Sequence, residues 1–203
     1  MSTAFAMLLA LLASAAASPA APPSPGSQAH MAQAYMRLVD AANDFELEEA
    51  IAARAALLER HGASLNRIGP SSELTSLMAL GRSFRARQID WWQGRMPEKD
   101  ARYLVVWWHP NHPDSRRVVL GAQAIGAQHD LPVLAMVAGG SAIDRKHSAG
   151  VIAICPDVTF AAAPHRILNG VDLTAPPMIT VVEGGAVLWH GTWEGLRKTP
   201  LGP

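Results

Sequence analysis

Cys155 is the only cysteine in this 203-residue chain. An internal disulfide, or a dithiol that cycles within one molecule, needs two sulfurs, so both are excluded. Excess charge is also missing. Seventeen Lys and Arg are matched by 17 Asp and Glu, a formal net charge of zero. A nucleic-acid surface needs clustered cations to displace counterions, so no nucleic-acid partner is expected. No apolar run reaches the ~20 residues that cross a bilayer. There is no glycine-rich phosphate loop, and Gly139-Gly140 and Gly184-Gly185 read as turns. Ser141 and Ser148 stand in no motif that supplies a base and an orienting acid, so a hydrolase triad has no support.

The amino-terminal segment is what composition does offer. Phe5 to Ala13 is a short apolar core followed by small residues, Ser14 to Ser18, and Ala15-x-Ala17 fits signal-peptidase cleavage. No Lys or Arg precedes that core. The expectation is a signal peptide over 1–21 and a periplasmic or secreted protein, with no stable membrane span after cleavage. Pro19 to Gly26 reads as a flexible or polyproline-like spacer, and the linker is set at 22–29. From His30 to Gln93 the pattern is helical, giving an extension over 30–98. Ala29 to Ala42 has apolar residues at helical spacing, Asn43 or Asp44 can cap a helix over Leu47 to Arg60, and Gly62 ends it. Ser71 or Ser72 caps a third stretch. Trp91 and Trp92 read as core or interface anchors.

The period changes at Ala101. Tyr103 to Trp107 and Leu131 to Val137 read as buried strands, with a turn and a helix, Asp114 to His129, between them. Val151 to Ile154 reads as a short third strand and Thr159 to Leu168 as a helix with Pro164 near its start or kinking it. Met178 to Val182 and Ala186 to His190 form a hairpin about Gly184-Gly185. Strands that alternate with helices and close in a hairpin indicate an α/β fold built on a mixed sheet. That domain is set at 99–196, followed by a tail over 197–203.

Two segments carry a resemblance. LVVWWHPNHPDSRRV, from Leu104, reads strand, Trp, turn, helix; Pro177-Met-Ile-Thr-Val-Val-Glu-Gly-Gly-Ala-Val-Leu-Trp reads proline, strand, glycine turn, strand. In this order and at about this separation they resemble the thioredoxin-like superfamily, particularly exported TlpA-like and conjugation-associated thiol–disulfide proteins. The likeness covers roughly Ala101 to Trp193. It implies a thioredoxin-like mixed sheet flanked by helices, here with an N-terminal helical extension, and a cis-proline at Pro176-Pro177. By position His109 and His112 replace the family's two cysteines, and Pro110 matches the proline between them.

Imidazole forms no disulfide, so the family's dithiol exchange cannot operate at this turn. What the resemblance leaves is the family's groove for an extended polypeptide or envelope protein, here lined by Trp108, His109, Pro110, His112, Pro176 and Pro177. Non-catalytic polypeptide binding or assembly is one reading. A thiol–disulfide oxidoreductase- or isomerase-like enzyme using Cys155 is a second. A third is a zinc or other divalent metal held by His109 and His112 in the first turn of the helix, with Asp114 or His190 as candidate further ligands. Otherwise no cofactor is implied. His129, His147 and His165 read as ordinary surface positions.

Overall fold

A computed structural model describes residues 27–68, 72–84, 89–138, 140–163, 177–199 and 201. The expected signal peptide and most of the linker lie outside these residues. The chain divides into two compact units, Met1–Met78 and Ala79–Pro203.

The first unit is a helical hairpin, α1 (Gln28–Asn43) and α2 (Leu47–Ile68), followed by α3 (Ser72–Ala79) at its boundary. Ser27 starts α1 by accepting the His30 backbone N–H, and Met31, Leu38, Ala41 and Ala42 form its buried stripe. Asp44 serves as the C-cap of α1 and not as a start signal for α2. Helix α2 also runs through Gly62 to Ile68, past the expected stop. A glycine costs a helix about 1 kcal/mol, and helix-compatible Ala63, Ser64 and Leu65 carry the turn onward. Arg54 links α2 to α3 by donating to the Met78 carbonyl.

The second unit is a mixed six-stranded sheet in the order β1-β4-β3-β2-β5-β6. Its strands are β1 (Asp90–Gln93), β2 (Arg102–Trp107), β3 (Val133–Ala138), β4 (Val158–Ala163), β5 (Met178–Glu183) and β6 (Ala186–Thr192). Strands β2, β3 and β4 are parallel, joined by α4 (Ser115–His129) and α5 (Ala142–Ile154); β1, β5 and β6 run antiparallel to their neighbours. A short α6 (Trp193–Leu196) closes the unit. This βαβαβ run followed by a hairpin and a helix is the α/β, thioredoxin-like mixed sheet expected from the sequence. Among the described residues no helix is long and apolar enough to cross a membrane.

Strand β2 is buried on both faces from Tyr103 to Trp107, as a continuous apolar run in a parallel sheet should be. One face carries Tyr103, Val105, Trp107, Leu134, Met136, Ala161 and Val182, roofed by Phe84 with Ile89, Trp91 and Met96. The β5–β6 turn uses Gly184 and Gly185 at φ +56 and +76, the pair of positive angles a two-residue hairpin needs.

Three expectations are corrected. Val151 to Ile154 is the last turn of α5, not a strand. Thr159 begins no helix: residues Val158–Ala163 form β4, and the remainder of that expected helix lies outside the described residues. Asp90–Gln93, placed in the helical pattern, pairs with β4. Val151 to Ile154 is too short an apolar run to have a period of its own, and in β4 a position between β3 and β1 outweighs the low strand preference of alanine.

Close packing of α4 on β3 gives a first prediction. A Cβ on Gly126 would lie 2.5 Å from Val133 Cγ2 and 2.6 Å from the Leu131 carbonyl oxygen. The latter is backbone, and it is fixed because Leu131 N–H donates to the Gly126 carbonyl. Gly126→Ala should therefore destabilise by about 1–3 kcal/mol despite the helix preference of alanine. Urea denaturation checks this; an unchanged or raised midpoint would refute the packing.

Candidate functional site

The last pair in the β2–β5 ladder is Trp107 with Met178. Trp108 and His109 follow the first and Pro177 precedes the second, so the histidine turn and the proline lie together at one end of the sheet. Pro176, and with it the expected cis bond, lies outside the described residues.

The turn is built locally. His112 N–H donates to the His109 carbonyl at 3.0 Å, and Ser115 N–H to the His112 carbonyl at 3.1 Å. His109 N–H donates to Ser115 Oγ at 3.1 Å, which ties the turn to the head of α4. Both histidines thus precede Ser115 and form a separate turn just outside the first turn of α4, not within it. Each ring also serves its own backbone: His109 Nδ1 accepts from Asn111 N–H, and His112 Nδ1 from Asp114 N–H, both at 3.3 Å. Neutral rings that accept at Nδ1 carry their proton on Nε2.

That geometry bears on the metal reading. An ion approaching Nε2 would have to displace this proton and break the local bonds. Asp114 turns its carboxylate toward Arg117, at 3.5 Å. His190 is buried in β6, where its Nδ1 lies 2.7 Å from Thr180 Oγ1. Among the described residues no three His, Cys, Asp or Glu side chains come together as a metal site.

Trp108 is only 2% exposed, and its ring meets Phe160 edge-on with centroids 5.8 Å apart. It belongs to the interior and not to the groove surface. Its indole N–H has no hydrogen-bond partner among the described residues.

Cys155 is the C-cap of α5 and fully buried. Burial raises its thiol pKa, with Arg116 a smaller opposing influence. Val158, three residues on, is level with Val133 and hence with Leu104. That level lies five residues before His109, roughly 16 Å along the strands. The thiol and the histidine turn are not brought together.

Sequence reasoning missed Asp144 and Ile143. Ser141 and Asp144 form a capping box at the head of α5, with Asp144 Oδ2 accepting from Ser141 N–H and Oγ–H at 2.8 Å. These bonds hold the Asp144 carboxyl below its usual range, assisted by His109. The other oxygen, Oδ1, faces His109 Nε2 at 3.8 Å. Ser141 lacks the intervening imidazole of a triad, so it is a cap and not a nucleophile. Ile143, beside Asp144, is 66% exposed. The pattern Ser141-x-x-Asp144 was the available signal.

No family model matches the sequence, and neither does any curated protein. Solved structures similar to the chain include a thio-disulfide isomerase from Thermus thermophilus, at 16% identity and TM-score 0.46, covering 58% of this chain and 92% of that one. A thioredoxin-like protein in its oxidised form shares 12% identity at TM-score 0.45, covering 58% and 91% respectively. A thioredoxin-like protein from Aeropyrum pernix shares 13% at TM-score 0.42, covering 72% and 96%. The fold assignment itself rests on strand order and register.

Proposed function

We propose that this chain is an exported, non-catalytic polypeptide-binding or assembly factor that uses the surface formed by the histidine turn, Pro177 and the head of α5. One observation carries the reading. The end of the sheet where the family's sulfurs would act presents two imidazoles held in a rigid turn, while the lone thiol is buried elsewhere. Nothing at the turn can form or break a disulfide. It does offer an extended chain a proline-flanked strand end, the polar pair His109 and Asp144, and an exposed isoleucine. The partner is an extended segment of an envelope protein, within a secretion or conjugation apparatus.

A fluorescent, reduced and carboxymethylated polypeptide serves as probe, followed by anisotropy. Binding should weaken about tenfold in Ile143→Asp, since loss of one buried aliphatic contact costs at least about 1.5 kcal/mol. Ile143 is exposed, so the fold should not suffer. Insulin reduction should stay at background for wild type and Cys155→Ser alike. Thiol-dependent turnover, or affinity indifferent to Ile143→Asp, would remove the reading.

A further inference from the structure

Within the helical hairpin, His30 on α1 and His61 on α2 meet ring to ring. His30 Nδ1 lies 3.0 Å from His61 Nε2, with centroids 5.3 Å apart and planes inclined at 46°. Two features fix the pair: the His30 backbone N–H is anchored on Ser27 Oγ at 3.2 Å, and His61 is only 3% exposed. We infer that these imidazoles form a proton-sensitive clamp on the α1–α2 hairpin, which survives a first added proton and opens on the second.

A nitrogen–nitrogen hydrogen bond needs one N–H and one lone pair. With both rings neutral, one supplies each. A first proton leaves one lone pair facing one N–H, and the bond becomes charge-assisted. A second proton puts two N–H groups and two positive charges face to face, with one ring out of water, and the rings must part. Arg60, beside His61 on α2, opposes that second proton; Glu59, the next charged residue there, has the opposite sign, and α1 carries no charge within a turn of His30. Burial, then His30, then Arg60 lower the His61 pKa. An unfolded hairpin has no such resistance, so acid favours opening. Stability held above pH ~6.5, the ordinary histidine value, is lost as the pH falls below it.

Amide hydrogen exchange of the full chain tests the clamp. After correction for intrinsic rates, protection in α1 and α2 should drop tenfold or more from pH 7.5 to pH 5. His61→Leu, which replaces the buried ring by an apolar side chain, should reduce that drop to less than twofold. Should that variant not fold, His30→Gln keeps a neutral hydrogen-bonding partner without the second charge. It should raise the ring titration of His61 seen by NMR and shrink the hairpin's response. A pH-independent wild type overturns the clamp. So does a His30→Gln variant whose His61 titration and hairpin response match wild type.

Discussion

In the native state at pH 8, Cys155 should react with a disulfide reagent such as Ellman's at least about 1,000-fold more slowly than in the urea-unfolded chain. Reaction requires the thiolate, and two barriers stand in its way. The thiol has no exposed surface and its pKa is raised by that burial, so little thiolate forms in the folded protein. Its backbone is also held from both sides: Cys155 N–H donates to the Ile152 carbonyl at 3.2 Å, and Gln93 Nε2 donates to the Cys155 carbonyl at 3.1 Å. The reagent must wait for an opening that separates α5 from β4. A thousandfold suppression corresponds to an opening of only roughly 4 kcal/mol, below the 5–15 kcal/mol typical of whole domains. Low concentrations of urea should then accelerate labelling steeply. Stoichiometric labelling within seconds in plain buffer would contradict this and would restore a monothiol enzyme as the better account.

Elements whose local signal and tertiary position agree were legible in the sequence. Strand β2 is a run of large apolar residues and sits at the sheet centre; the β5–β6 hairpin announces its turn with two glycines. Helix α4 ends where the period ends. The errors fall where local signal and position disagree. Ala161, Ala162 and Ala163 favour a helix in isolation, yet they lie between β3 and β1. Val151 to Ile154 has strand composition but continues a helix nucleated ten residues earlier by Ser141 and Asp144. At the candidate site, the nearness of the histidine turn to Pro177 was what the family resemblance implied, and the β2–β5 register brings both to one end of the sheet. The facing of Asp144 to His109 had no such signal, because it joins the heads of two helices whose spacing no sequence pattern records. Trp108 was read as a surface anchor because a strand-end tryptophan looks the same in sequence whichever way its ring turns.

The interior of the sheet holds a polar chain that should dominate the acid response of the whole domain. Trp107 Nε1 donates to Thr180 Oγ1 at 2.8 Å, and Thr180 in turn lies 2.7 Å from His190 Nδ1. An indole only donates, so Thr180 accepts there, and its hydroxyl has both a proton and a second lone pair with which to pair a neutral His190 ring at Nδ1. Thr180 is fully buried and His190 is 5% exposed. Burial pushes the His190 pKa down from 6.5 to about 4. The unfolded chain therefore takes up a proton near pH 6.5 that the folded protein refuses until about pH 4. Unfolding free energy should be flat above pH ~7.5 and decline between 6.5 and 4, by roughly 3 kcal/mol in all at 1.36 kcal/mol per pH unit. Tryptophan-monitored urea denaturation across pH 4.5 to 8 would trace that decline. His190→Gln can still accept from Thr180 but cannot titrate, so it should keep the fold and remove most of the slope. A wild-type profile without slope, or a His190→Gln profile parallel to wild type, would mean that the ring is reached by water and is not sealed under the β5–β6 ladder.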